Sequence, residues 1–228
     1  GIPYTTLTRF EEGYAPFYFY GYKTDGVFQN QSEIDGHATQ NGAVPGDIRY
    51  VDVNEDGVVD GEDRTQIGDP YADFMIGWNL ALNYKNFDFN AFVYASVGGD
   101  VYRAYERNLN YTNRFAGTLD RWTGEGSTNE RPRAEQTSSY VYNSDLMVFK
   151  GSYVRIRQIQ LGYTVPRNFM KDKVQNLRLY VSLDDYFTFT NYPGMDPGAG
   201  TGNNQGQGID RGYYPTPRKV YFGLSFSF

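Results

Sequence analysis

Phe74-Met75-Ile76-Gly77-Trp78-Asn79-Leu80-Ala81-Leu82-Asn83-Tyr84 decides the fold. Its even positions, Phe74, Ile76, Trp78, Leu80, Leu82 and Tyr84, are large and apolar, whereas Gly77, Asn79, Ala81 and Asn83 between them are small or polar. A period of two marks a strand, because successive side chains leave the backbone on opposite faces. After Lys85 the phase restarts. Phe87, Phe89, Ala91, Val93, Ala95 and Val97 alternate with Asn86, Asp88, Asn90, Phe92, Tyr94 and Ser96. The two runs predict a hairpin of strands over 74–84 and 86–97.

Working outward, three further runs share this period. Over 153–165 the apolar set Ile159, Leu161, Tyr163 and Val165 is preceded on its own phase by Arg155 and Arg157, with Val154 and Ile156 opposed, so a bulge is expected near Gln158. Over 177–189, Leu177, Leu179, Val181, Leu183, Phe187 and Phe189 share a face and Asp185 is the exception. Over 219–228, Val220, Phe222, Leu224, Phe226 and Phe228 alternate with Tyr221, Gly223, Ser225 and Ser227.

Globular strands average about five or six residues, whereas a strand tilted across a bilayer needs about nine to eleven. All five runs reach that length. Apolar residues on one face suit lipid, polar ones on the other suit a watery or plugged lumen, and terminal aromatics such as Tyr84 with Phe87 suit interfacial girdles. The fold class expected is all-β, a transmembrane antiparallel barrel. The connections agree, being short at Lys85-Asn86, modest over 166–176, and long over 98–152 and 191–218. If the chain finishes at the periplasm, residues 1–73, 98–152 and 191–218 are extracellular loops. The alternative is a β-sandwich with one solvated face, a secreted, calcium-stabilised module that binds or degrades polysaccharide. Five strands do not close a barrel, for which about eight are needed, and the chain opens on Gly1 without Met. Either it is the C-terminal portion of a longer polypeptide, which the missing start favours and which a nick in an exposed loop before Gly1 would produce, or several chains share one barrel.

Composition narrows the chemistry. The 228 residues include 22 Tyr and 16 Phe but no Cys and a single His, His37. No disulfide, thiolate nucleophile or paired-imidazole metal centre can be built from that set, and His37 lies in the polar stretch Asp35-Gly36-His37-Ala38-Thr39, a solvated loop rather than a triad. An enzyme is not expected. A net charge of −6 with no basic run argues against nucleic acid as a partner.

One motif is sharp. In Asp52-Val53-Asn54-Glu55-Asp56-Gly57-Val58-Val59-Asp60-Gly61-Glu62-Asp63, oxygen side chains fall at positions 1, 3, 5, 9 and 12, with Gly57 at 6. This is the spacing by which an EF-hand loop turns alternate oxygens onto one hard cation, with Asp63 in place of the usual Glu. Asp52, Asn54, Asp56, Asp60 and Asp63, with the Val58 carbonyl, are the candidate ligands of a structural Ca²⁺. The flanking Asp47–Val51 run alternates like a strand, so a clip that orders a loop is expected, not a helix-opening sensor. Other constellations are weaker. Gly198-Ala199-Gly200-Thr201-Gly202 reads as a flexible tip, Asp184-Asp185 as neighbours on opposite strand faces, and Tyr14–Tyr20 and Gly212–Pro215 as loop packing.

Several stretches resemble one family in order along the chain: Phe19–Phe28, Gly46–Tyr50 running into the calcium-like loop, Asp63–Pro70, Gly151–Arg157, Leu161–Pro166, Gly208–Gly212 with Tyr214-Pro215, and the Phe-ended last strand. Together they are similar to the C-terminal part of SusC/RagA-like TonB-dependent outer-membrane transporters. The resemblance implies a 22-stranded barrel with an N-terminal plug, a SusD-like lipoprotein as a lid, energy from TonB, and import of oligosaccharides or peptides across the cell outer membrane. The plug, the TonB-contacting segment and most strands are absent from this sequence, so its partners include the rest of that transporter and outer-membrane lipid.

Overall fold

A computed structural model describes residues 7–105, 116–134, 143–169, 175–198 and 206–227. The opening residues, Phe228 and the glycine-rich tip from Ala199 onward to 205 lie outside the described residues. The chain divides into two compact units, one of Gly1–Tyr71, Asp100–Phe149 and Gly198–Tyr213, the other of Ala72–Gly99, Lys150–Pro197 and Tyr214–Phe228.

The second unit is built on one antiparallel sheet. Its long strands, Phe74–Tyr84, Phe87–Val97, Tyr153–Thr164, Asn176–Thr190 and Lys219–Ser227, lie side by side in chain order, an up-and-down meander. Differences from the sequence bounds sit at the ends. Asn86 joins the turn, where its side-chain amide donates to the Thr164 carbonyl at 2.8 Å. Val165 has left the third strand, although its N–H still donates to the Leu177 carbonyl at 2.8 Å. The first and fifth strands each have a neighbour on one side only among the described residues, so the sheet is open.

Register resolves the phase conflict in the third strand. Val154 and Ile156 stand opposite Ala95 and Val93, then the register shifts, and Ile159, Leu161 and Tyr163 stand opposite Ala91, Phe89 and Phe87. One extra residue between Ile156 and Ile159 returns both apolar sets to the same face. On the fourth strand the shift falls between Phe187 and Asp184. Asp185 there has a left-handed φ of 51°, which explains why it breaks that strand's apolar phase.

Glycine serves the other face. A Cβ on Gly223 would overlap the Tyr180 ring, and one on Gly162 would overlap the Arg178 and Asp88 side chains. Larger residues at either position would displace Tyr180 or the ion pair beneath it.

The first unit is made of short pieces. Thr8–Arg9, Tyr18–Gly21 and Thr65–Gly68 form one small sheet, Thr24–Val27 pairs with Ile48–Tyr50, and Asp100–Arg103 pairs in parallel with Ile209–Asp210 and also borders Val148–Lys150. A five-residue helix, Gln31–Asp35, starts where the Asn30 side chain accepts from the Glu33 N–H at 3.1 Å. Two apolar clusters hold these pieces: Leu7, Phe19, Tyr102, Met147 and Ile209 in one, and Tyr22, Val27, Ile48 and Tyr50 with Val59, Trp122 and Leu146 in the other. Gly46, at φ +92°, takes the Trp122 ring directly against its Cα. Among the described residues no helix is long and apolar enough to cross a membrane, which does not bear on crossing by strands.

Candidate functional site

The registers place Phe74, Ile76, Trp78, Leu82 and Tyr84 on one sheet face with Phe87, Val154, Leu161, Leu179, Phe187 and Phe189, and continue it through Val220, Phe222, Leu224 and Phe226. Every one of these residues is exposed, Phe222 to 84%. A soluble protein seldom shows a contiguous apolar patch beyond a few hundred Å². Here the apolar surface runs from one edge strand to the other. Only the small Ala91 and Ala95, between larger neighbours, are buried on it.

The opposite face carries Asn79, Asn83, Asp88, Asn90, Gln160, Arg178, Ser182 and Ser225, with aromatic Phe92, Tyr94, Tyr153, Tyr180 and Tyr221 among them. Arg178 grips Asp88 with two parallel N–H donors, Nε to Oδ1 at 2.9 Å and Nη2 to Oδ2. Its guanidinium also lies 5.0 Å from the centre of the Tyr180 ring. The charges on this face are thus paired and stacked, as a watery or protein-filled lumen allows and hydrocarbon does not. Asp184 and Asp185 are not brought together as an acid/base pair. Asp184 accepts from the Ser182 hydroxyl at 2.6 Å and Asp185 faces Arg157 at 3.2 Å.

The loop Asp52–Asp63 is folded around its own carboxylates. Gly57 N–H donates to Asp52 Oδ2 at 2.8 Å, Asp56 N–H to Asn54 Oδ1 at 3.1 Å, Val58 N–H to Asp56 Oδ1 at 2.9 Å, and Glu62 N–H to Asp60 Oδ1 at 2.8 Å. Left-handed φ values at Glu55 (60°) and Gly57 (87°) make the sharp turn. Asp63, fully buried, accepts from Val53 at 2.8 Å through one oxygen and from Asp60 at 2.8 Å through the other. Burial alone would push its pKa up, but these amides and that of Asn54 outweigh burial and hold it below the usual carboxylate value. Thr39 anchors the far side, donating to the Gly57 carbonyl at 2.8 Å and accepting from Val59 at 3.0 Å.

Among the described residues, no three His, Asp or Glu side chains are gathered as a metal-ligating group. Asp52, Asn54, Asp56 and Asp60 are instead turned onto amides of the loop. The donor set nevertheless fits a hard cation in one respect. Asp52 Oδ1 is buried without a hydrogen-bond partner. A buried carboxylate oxygen left unpaired is the kind of atom a hard cation would satisfy.

His37 is half-buried, its ring edge-on to Phe28 with centroids 5.2 Å apart. In the Tyr14–Tyr20 stretch, Tyr14 stacks on Tyr18 at 4.8 Å and Tyr20 lies between the guanidiniums of Arg9 and Arg64, each 4.6 Å from its centre. Sequence reading did not find the Arg155–Asp196 pair, whose members are separated by 41 residues and joined at 2.6 Å. Nothing in local periodicity marks it beyond an arginine on a strand.

No model of a known protein family matches the chain. TonB-dependent receptor P3 of Formosa agariphila is 38% identical over 95% of this chain, which spans 22% of that protein. TonB-dependent receptor P26 of the same organism is 33% identical over 97% of the chain and 23% of its own length. TonB-dependent receptor SusC of Bacteroides thetaiotaomicron is 27% identical over 98% of the chain and 20% of its own length. The structure of the RagAB peptide importer in its open-open state superposes with a TM-score of 0.75 at 18% identity, over the whole of this chain and 24% of the other. The chain thus spans between a fifth and a quarter of the proteins it matches. Sequence and fold together show the resemblance: this chain is similar in sequence to one portion of TonB-dependent receptors, SusC among them, and shares the fold of one portion of the RagAB importer.

Proposed function

We propose that the chain forms part of a TonB-dependent outer-membrane transporter that imports oligosaccharides or peptides, with a SusD-like lipoprotein as its lid, and catalyses no covalent chemistry. One observation carries this reading: a single meander exposes an apolar face from edge to edge, collects polar and paired charged residues on the other, and has open strands at both sides. An open edge in hydrocarbon leaves several kcal/mol per unpaired backbone group, so further strands of the same barrel must cover both. A β-sandwich would bury that apolar face against a second sheet, whereas here the face is exposed. The relatives' names, TonB-dependent receptor and peptide importer, support the transport role.

On this reading the apolar face meets outer-membrane lipid, the polar face lines the lumen toward the plug, and the segments over 1–73, 98–152 and 191–218 lie outside the cell, toward lid and substrate. TonB acts through parts of the transporter beyond this chain. The loop Asp52–Asp63 binds a structural Ca²⁺ through Asp52, Asn54, Asp56, Asp60, Asp63 and the Val58 carbonyl, stiffening the external segment around it. Cell fractionation tests the membrane assignment. The polypeptide carrying this chain should sediment with outer membrane and require detergent, and recovery from the aqueous fraction without detergent would overturn it. Calorimetric titration of the chelated protein tests the cation: heat of calcium binding should appear and vanish in Asp56→Ala, and its absence in the unaltered protein would remove calcium from the proposal.

A further inference from the structure

Where the long connections leave the sheet, the polar face would be expected to lie open, and Thr188 and Thr190 there are exposed. Arg155, on that face and at that end, is instead only 5% exposed. The cover is the segment that follows the fourth strand. Asp196, 7% exposed, reaches Arg155 Nη2 with Oδ1 at 2.6 Å. Arg155 Nε donates to the Thr188 hydroxyl at 3.0 Å and Nη1 to the Thr216 hydroxyl at 3.2 Å. Asp196 Oδ2 then accepts from both the N–H of Thr216 at 2.9 Å and its hydroxyl at 2.8 Å.

One guanidinium therefore gathers the fourth strand, the outgoing limb of the 191–218 connection and its returning limb. The outgoing limb is packed locally. Tyr192 is buried with its ring against Gly194, and its N–H donates to the Thr190 hydroxyl at 3.1 Å. The fastening is polar throughout. Because every bond is directional and converges on one guanidinium, loss of that single group removes several fastenings at once, which a diffuse apolar contact of the same size would not allow.

We propose that residues 191–197 form a strap across the polar face, fastened to Arg155 through Asp196 and Thr216, and that release of this guanidinium lifts the strap and opens the face beneath to the side of the long connections. Opening from outside the cell rests on the transporter reading above. The strap itself does not. Tyr94, directly across the ladder from Arg155, is the residue that opening should uncover.

The test uses the complete transporter in outer membrane and in detergent, comparing the wild type with Arg155→Lys and Asp196→Ala. Arg178→Lys, at the other end of the same face, is the control. Hydrogen exchange at Thr216 and over 191–197 should rise roughly ten- to a hundredfold in the two strap variants, as loss of charged hydrogen bonds implies, and stay unchanged in the control. Tyr94→Cys placed in each background should then react faster with a membrane-impermeant maleimide added to intact cells. Unchanged exchange, exchange that rises equally along all five strands, or raised exchange with unchanged labelling would each overturn the strap. Failure of the transporter reading looks different, since every form, wild type included, would then be missing from the outer-membrane fraction.

Discussion

In the first unit Phe19 is completely buried and packs with Leu7, Tyr102, Met147 and Ile209, whereas in the second Phe222 stands 84% exposed on a face that is apolar from one edge strand to the other. The chain has 16 Phe and 22 Tyr, and the first unit buries Tyr18, Phe19, Tyr22, Phe28, Tyr50 and Tyr102 while Phe10, Tyr14 and Tyr213 stay exposed, whereas the second displays its rings along the sheet. A unit that hides its rings is solvated by water. One that displays them along every strand is solvated by something apolar, and its polar residues collect on the reverse face. Where each unit places its rings therefore reports the medium around it more directly than composition does, which averages the two.

The largest effect expected from this contrast is in the first unit. Phe19→Ala removes a ring from a close-packed cluster and should destabilise it by about 3–5 kcal/mol, read as faster hydrogen exchange over 18–21 and 100–103. Phe222→Ala should leave exchange in those segments unchanged. If both substitutions loosened the first unit equally, the division into two differently solvated units would be wrong.

Next come Trp78 and Asn79, neighbours on one strand with side chains on opposite faces. Arginine on a lipid-facing position near the bilayer midplane costs about 2–4 kcal/mol. On a face lined by water it should change stability within about 0.5 kcal/mol. Trp78→Arg should thus be less stable than Asn79→Arg by roughly that difference, as judged by denaturant titration of the protein folded into lipid vesicles. Equal costs would place both faces in water and sink the membrane assignment.

The long strands were legible because their alternation is local and uninterrupted, and even the phase conflict at Val154, Ile156 and Ile159 announced the register shift found between Ile156 and Gln158. In the first unit the strands are two to four residues long, too short for a period to show. They are held by contacts distant in sequence, such as the Tyr22 N–H donating to the Asn143 carbonyl at 2.8 Å. For the Asp52–Asp63 loop, spacing identified the oxygens, but not that all five of those side chains accept from loop amides. The Arg155–Asp196 fastening was invisible for the same reason as Tyr22–Asn143: its partners meet only after the chain has folded.

A third effect belongs to that loop. Asp63→Ala leaves the N–H groups of Val53 and Asp60 without their acceptor, a loss of about 1–3 kcal/mol. Because the folded Asp63 pKa lies below its unfolded value, its carboxylate contributes stability that is fully present above the usual carboxylate range and is lost as pH falls through the lowered folded value. The reporter is Trp122, which shares an apolar cluster with Val59 of the loop, and Trp78→Phe leaves it as the chain's sole tryptophan. Its fluorescence should hold steady down to the ordinary carboxylate range and change in stronger acid. In Asp63→Ala that acid transition should shrink. A transition of full size without Asp63 would assign it to another carboxyl.

The smallest effect is at the tight turn, where Lys85 has a left-handed φ of 53° in the two-residue connection between Tyr84 and Phe87. That conformation costs an ordinary residue about 1–2 kcal/mol, which Lys85→Gly would relieve. The substitution also removes the ammonium group lying 5.3 Å from the Tyr84 ring centre, worth about 0.5–1 kcal/mol, and adds about 0.5–1 kcal/mol of chain entropy. The terms nearly cancel, so Lys85→Gly should melt within about 0.5 kcal/mol of the wild type by these estimates. Lys85→Val keeps none of the ammonium contact and sets a branched Cβ in the left-handed region, so it should be destabilised by at least about 1 kcal/mol. Gly and Val are both uncharged, so a gap between them isolates backbone strain from charge, and equal melting of the two would show that the turn is not held in the left-handed conformation.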